Sequence, residues 1–193
     1  QNAILVATGL AMAGFKPYVY SIVPFITMRC YEQIKIGICS HNLPVTLIGL
    51  GSGLSFSYDG FTHHAMQDIS VMRSLPEINI FNPIDEISMK NTVNEMYNLQ
   101  KPCYVRLDKG VFPNYIPLKE FDGMRDLKNP EKTTILNTGY MTHTMYNICN
   151  KYNGVGLIDI YKLKPLGKLF ELLPDICDTL VTVEEHAKTG GLW

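Results

Sequence analysis

The sequence predicts an α/β chain built on parallel sheet, in two successive parts. Three observations carry this. Apolar runs of strand length alternate with helix-like segments through the first half. Residues 45–83 form one complete strand–loop–helix–strand crossover. After a break in composition, a second alternating series begins at Thr133. In sheets of this class, ligands bind beyond the carboxyl ends of the strands.

The elements follow in order. Residues 2–13 (NAILVATGLAMA) are apolar and helix-prone, with Gly14 as a stop. This helix is apolar around most of its circumference, which predicts a place inside the protein or in a subunit interface. Residues 17–23 (PYVYSIV) are β-branched and aromatic and read as a strand. Pro24 opens a helix expected from Phe25 to about Ser40, ended by Asn42-Leu43-Pro44.

The crossover starts with a strand at 45–50 and a loop rich in glycine and serine. Then come Asp59-Gly60-Phe61-Thr62-His63-His64, a helix with Ala65, Ile69 and Met72 on one face, and a strand at 78–81 closed by Asn82-Pro83. Asp85 or Ser88 starts a helix to about Leu99, and residues 102–107 (PCYVRL) form a short strand.

From 108 to 132, Gly110, Pro113, Pro117, Gly123 and Pro130 mix with charges and no period survives. This reads as interdomain chain. The expected division is a first domain at 1–118, a linker at 119–132 and a second domain at 133–193. In the second domain, strands are expected at 133–137, 155–160 and 179–184, with helices at 142–152 and 167–173. The closing Gly190-Gly191 normally leads into another helix, so this domain reads as cut short. The chain opens on Gln1-Asn2, without methionine, and reads as a piece of something longer.

Bulk composition excludes several classes. With 17 basic and 18 acidic residues the net charge is −1, so neither a nucleic-acid stripe nor an acidic disordered tail is present. No apolar run has membrane-spanning length, and no basic segment marks a signal peptide. Five dispersed cysteines without a CxxC pair read as buried thiols of a reducing, cytoplasmic compartment.

The sharpest polar cluster is Asp59, His63 and His64. Capping of the following helix would explain Asp59 or Thr62. It would not explain two adjacent histidines. A histidine at a helix start tends to stay neutral and can exchange a proton with a hydroxyl or carbonyl. Phe25 and Arg29 read most simply as a core aromatic and a surface arginine. Their alternative is an aromatic face for a planar heterocycle beside a phosphate-gripping guanidinium. Arg106 and Lys109, at a strand end, are candidates for an anionic substrate. Gly49-Leu50-Gly51-Ser52-Gly53 lacks the Walker lysine and a directly following helix. Glu184-Glu185-His186 cannot converge on one ion from a strand end and reads as structural. No metal site is expected in this chain.

The string Asp59-Gly60-Phe61-Thr62-His63-His64, followed by Met72-Arg73-Ser74-Leu75-Pro76 and Asn82-Pro83, resembles the pyrimidine-binding domain of transketolases. That family has a DG-x-TH loop, a helix ending R-x-x-P and a strand ending in a polar-Pro turn. Gln1-Asn2 with Gly9-Leu10-Ala11 and Gly14-x-Lys16-Pro17 is similar to the helix and strand after the family's EQ motif. Val183-Glu184-Glu185-His186 with Gly190-Gly191 is similar to part of its C-terminal domain.

The resemblance implies a parallel-sheet pyrimidine-binding domain followed by a truncated transketolase C-terminal domain. It implies thiamine diphosphate as cofactor, with Mg2+ held by a partner domain or chain. It implies a homodimer or heterotetramer with the cofactor at the interface. Phe25 would stack on the aminopyrimidine ring, with Arg29 facing cofactor or substrate. Asp59 and His63 would bind sugar hydroxyls and assist proton transfer, with His63 catalytic. Lys109, or else Arg106, would grip a sugar phosphate. The family's essential glutamate falls one residue upstream of Gln1, and its GDG…N metal element has no counterpart here.

The implied reaction is transfer of a two-carbon ketol unit between sugar phosphates. Alternatives are a 1-deoxyxylulose-5-phosphate synthase-like or 2-oxo-acid dehydrogenase beta-like enzyme, or a non-catalytic partner subunit.

Overall fold

In the computed structural model, residues 1–167, 171, 173, 175 and 177–192 are described. The first part begins with α1 (Asn2–Met12), β1 (Tyr18–Ile22), α2 (Val23–Ile26) and α3 (Tyr31–Gln33). It continues with β2 (Thr46–Leu50), α4 (Asp68–Arg73), β3 (Asn79–Phe81), α5 (Glu86–Asn98) and β4 (Cys103–Leu107). Then come β5 (Lys119–Phe121), β6 (Met124–Lys128), β7 (Thr133–Asn137), α6 (Met141–Cys149), β8 (Val155–Ile160), β9 (Lys162–Lys164) and β10 (Thr179–Val183).

Among the described residues the strands form two five-stranded sheets. The first has the order β1-β2-β4-β3-β9 and the second β10-β7-β8-β6-β5. In the first, β1 to β4 are parallel and only β9 is antiparallel. In the second, β10, β7 and β8 are parallel, and β6 and β5 run antiparallel. Parallel strands covered on both faces need continuous apolar side chains. Leu47, Ile80, Tyr104 and Ile158 accordingly lie fully buried.

The two parts share one core. Ile4, Ile34, Leu47, Ile69 and Ile80 cluster with Met124, Leu136, Ile158 and Ile160 from the second part. β9 crosses over to pair with β3, and Asn82 N–H donates to the Tyr161 carbonyl at 2.7 Å. Asp85 caps α5 in a reciprocal box with Ser88, and its carboxylate also meets Arg125 of β6 at 3.0 Å. Arg125 pairs in turn with Asp159 of β8 at 2.8 Å.

Three sequence expectations change. Residues 119–132 are not a free linker: β5 and β6 fall there and close the second sheet. The helix expected over 25–40 is broken into α2, a 3-10 turn at Met28–Cys30, α3 and a wide π turn at Ile34–Cys39. The break sits at Thr27, whose hydroxyl donates back to the Val23 carbonyl at 2.6 Å. Neither Asp59 nor Thr62 caps a helix. Two 3-10 turns, Ser57–Asp59 and Phe61–His63, precede α4, which is capped at Gln67. Of the two places expected for α1, the interior is excluded and an interface stays open: Ile4, Ala7 and Ala11 are buried and Leu5, Val6, Leu10 and Met12 exposed. The helix expected at 167–173 lies mostly outside the described residues.

Candidate functional site

Three loops at the carboxyl ends of β1, β2 and β4 meet in a recess. Pro24 lets α2 start directly off β1, and this turn presents Phe25. The loop after β2 reverses at Gly60 (φ +81°), a conformation open to glycine, and so brings His63 back over the sheet. Its return is pinned by Ala65 N–H on the Gly53 carbonyl at 2.8 Å.

The His63 ring stands edge-on to Phe25, centroids 5.0 Å apart, and edge-on to Phe56 at 6.4 Å. Thr62 Oγ1 lies 3.0 Å from His63 Nδ1. The Arg29 guanidinium covers the Phe25 ring at 4.1 Å. Lys109 Nζ hangs 5.1 Å over Phe56. Gln1 Nε2 donates to the Arg29 carbonyl at 3.2 Å, so the start of α1 borders the recess. Asp59 is exposed on the same loop.

The structure thus gathers Phe25, Arg29, His63 and Lys109, while Asp59 is exposed on the loop that carries His63. Phe56, the ring between His63 and Lys109, is not among the residues the sequence singles out. Its one signal is an aromatic placed inside a Gly/Ser-rich loop. His64 turns away, its Nε2 lying 3.3 Å from the Ser57 carbonyl.

Arg106 is corrected. It is 1 % exposed and its Nε donates to Asp68 at 2.9 Å. Its Nη2 donates to the Glu185 carbonyl at 3.0 Å, tying β4 to the second part. Tyr104 also donates to Asp68. A guanidinium so enclosed and shared has no free edge for a substrate.

Gly49-Leu50-Gly51-Ser52-Gly53 does not cradle a ligand. A Cβ on Gly51 would run into the Phe56 ring, and one on Gly53 into the Glu185 carboxylate. Glu184 accepts the Leu192 N–H at 2.8 Å. His186 Nδ1 donates to the Ala187 carbonyl at 2.7 Å. Among the described residues, no group of three or more His, Cys, Asp or Glu side chains is placed to hold a metal ion. The five cysteines are free and buried, and burial pushes the Cys39 thiol up to about 11 and the Cys103 thiol up to about 12. Such thiols are poor nucleophiles at neutral pH.

A cavity of about 420 Å³ lies at the β4 exit, between Leu50, Leu107, Phe112 and Asp108. Ser88, Tyr115 and Arg125 hold its Asp85, Asn114 donates to Glu86, and Ser52 donates to Asp108 Oδ1, while the buried Asp108 Oδ2 has no hydrogen-bond partner. The aromatic recess carries the more convincing chemistry.

Fold and recess define a class: a parallel α/β module offering aromatic faces, an imidazole and two cations at its strand ends. Residues 1–114 match the family described as the transketolase pyrimidine binding domain, and the chain belongs to that family. It is 33% identical over 196 residues to 1-deoxy-D-xylulose-5-phosphate synthase of Haemophilus influenzae strain PittGG, covering 99% of this chain and 31% of that protein. It is 26% identical to one of the subunits of apulose-4-phosphate transketolase from Phocaeicola vulgatus, covering all of this chain and 64% of that one. The chain therefore spans about a third to under two thirds of the length of these relatives.

A solved structure described as a split gene transketolase, inactive beta4 tetramer, superposes with TM-score 0.85 at 27% identity, over 99% of this chain and 64% of that one. Transketolase from Campylobacter jejuni shares the fold at TM-score 0.84 and 17% identity, over 95% of this chain and 31% of that one. Both parts of the chain thus follow the transketolase pyrimidine-binding and C-terminal domains.

Proposed function

We propose that the chain forms the pyrimidine-binding part of a thiamine diphosphate-dependent transketolase-like enzyme. The reaction is transfer of a two-carbon ketol unit between sugar phosphates, in the cytoplasm. The observation that carries this is the gathering of Phe25, His63 and Lys109 in one recess.

The recess fits the ring end of the cofactor. Partly exposed aromatic faces suit a flat heterocycle, and two cations suit anionic groups. It does not fit the diphosphate end, for which the described residues offer no converging acidic or histidine ligands. Mg2+ and the diphosphate are assigned to a partner domain or chain, in a homodimer or heterotetramer with the cofactor between them. The exposed Leu5, Val6 and Leu10 of α1, next to a recess bordered by Gln1, are the face assigned to that partner.

When bound, thiamine diphosphate supplies the electron sink for cleavage beside a ketose carbonyl. The chain's own residues bind and orient. Phe25 offers the ring face that Arg29 does not cover, and Arg29, seated over the other, faces the cofactor or substrate. Asp59 accepts hydrogen bonds from sugar hydroxyls. His63 exchanges a proton with a substrate oxygen at its imidazole. Lys109 meets the sugar phosphate as a point charge. A 1-deoxyxylulose-5-phosphate synthase-like activity is the second reading, favoured by the 33% identity to those synthases.

Calorimetric titration of thiamine diphosphate with Mg2+ tests the first step. It is run on this chain alone and on the chain mixed with the diphosphate-binding part of its enzyme. Binding is expected in the mixture only. Phe25→Leu should weaken it about three- to tenfold, the worth of an aromatic stack. His63→Asn should lower kcat by about 10²–10⁴ with cofactor affinity little changed. Absence of binding in the mixture overturns the reading and leaves a non-catalytic subunit.

A further inference from the structure

An exposed lysine is a poor instrument for holding an anion in one place. Its charge sits at the end of a flexible four-carbon stem, without the planar fork by which arginine meets two oxygens at once. Lys109 is exposed on the loop after β4, yet its ammonium is not free to wander. Nζ lies 5.1 Å above the centre of Phe56, within the range of a cation–π contact. The same ring stands edge-on to His63, with an interplanar angle of 64°. Phe56 is thus the shared neighbour of the cation and the imidazole.

Phe56 is itself fixed. Gly51, at φ +81°, leaves the space its ring fills, and a side chain at Gly51 would collide with that ring. The Phe56 carbonyl accepts the Asp59 N–H at 3.1 Å, which closes the 3-10 turn leading to His63. The loops that carry Phe56 and Lys109 are stitched together at their bases. Gly51 N–H and Ser52 N–H both donate to the Leu107 carbonyl, at 2.8 and 3.2 Å, and the buried Ser52 hydroxyl donates to Asp108. The glycine-rich stretch that cradles no phosphate is therefore the seat of an aromatic that faces Lys109.

We propose that Phe56 is a positioning residue for anion binding: its ring, seated on Gly51, holds the Lys109 ammonium beside the His63 imidazole. The ring supplies the placement that lysine lacks in comparison with arginine. This rests on the assignment of Lys109 and His63 to the substrate under the proposed function, and it adds the residue that sets their mutual position.

The test titrates inorganic phosphate into the protein assembled with its partner and reads binding from 31P line broadening. Phe56→Leu should weaken the apparent affinity about two- to fivefold, the range of a surface cation–π contact. Phe56→Tyr, which keeps the ring face, should restore it. Gly51→Ala should reproduce the loss with Phe56 still present. Lys109→Ala should cost at least as much, and adding Phe56→Leu to it should cost nothing more.

If Phe56→Leu weakens phosphate equally with and without Lys109, the ring acts through general packing and the proposal fails. The proposal also fails if Phe56→Leu leaves affinity unchanged while Lys109→Ala lowers it; the assignment of Lys109 then stands. If Lys109→Ala has no effect, that assignment falls and takes the proposal with it. Thermal unfolding of each variant separates lost binding from lost fold.

Discussion

Arg106 and Lys109 leave β4 on the same short stretch of chain, and burial divides their roles. Arg106 lies on the strand, under the loops, where its charge must be matched. Asp68 supplies the match and is itself fully buried. Replacing such a pair by apolar residues is often harmless, but removing one member strands the other charge. Arg106→Leu is therefore expected to cost about 3–5 kcal/mol, measured by urea denaturation. A loss below about 1 kcal/mol would show that the pair contributes no more than an exposed ion pair does. Sequence alone misplaces Arg106 because arginine is rarely buried and its partner lies 38 residues away. Phe25, Arg29, Asp59, His63 and Lys109 are candidates there because a motif keeps its order along the chain, and the fold brings Phe25, Arg29, His63 and Lys109 together. Phe56 is not a candidate there, because its role comes from two loops that only the fold brings together.

β2, β4 and β8 are legible to within a residue because burial on both faces leaves largely apolar runs, carrying a charge only at Arg106 in β4 and Asp159 in β8. β5 and β6 are not. Met124-Arg125-Asp126-Leu127-Lys128 has the charge of a linker, yet Arg125 and Asp126 are buried. Arg125 is matched by carboxylates from two other elements. The joint between these elements and α6 carries a titratable group. The His143 ring stacks on Phe112 at 4.4 Å and 15°, and its Nδ1 meets the Tyr115 hydroxyl. Burial holds its pKa below the usual 6.5; the Asp108 and Asp85 carboxylates pull the other way, and Arg125 adds to the lowering. Between its two pKa values the unfolded chain binds the proton and the folded chain does not. Stability should therefore fall as pH drops below about 6.5, until the folded-state pKa is passed. Urea midpoints at about pH 7.5 and about pH 5.5 should differ less in His143→Gln than in the parent. An equal difference in the two proteins would place the acid sensitivity elsewhere.

At the scale of the molecule, the sequence suggests a boundary after residue 118, but the forces holding the chain do not respect it. β9 comes from the second part and covers the edge of β3 in the first sheet. Arg106 needs the Glu185 carbonyl, and Asp85 shares Arg125. Met124, Leu136, Ile158 and Ile160 belong to the same apolar cluster as Ile4, Leu47 and Ile80. A fragment of residues 1–118 would expose β3 as an unpaired edge, bare that side of the core and leave Asp85 without its guanidinium. An open apolar edge of this kind invites pairing with other chains. The fragment is expected to be insoluble or to show little protected amide hydrogen, whereas the whole chain should unfold in one cooperative transition followed by circular dichroism. A soluble fragment that unfolds cooperatively would mean that the strand exchange and shared ion pairs are ornaments on two independent folds. Collapse of the fragment would instead mean that the recess around Phe25 and His63 depends for its shape on the second part, whose Glu185 and Ala187 touch Gly53, Arg106 and Met66.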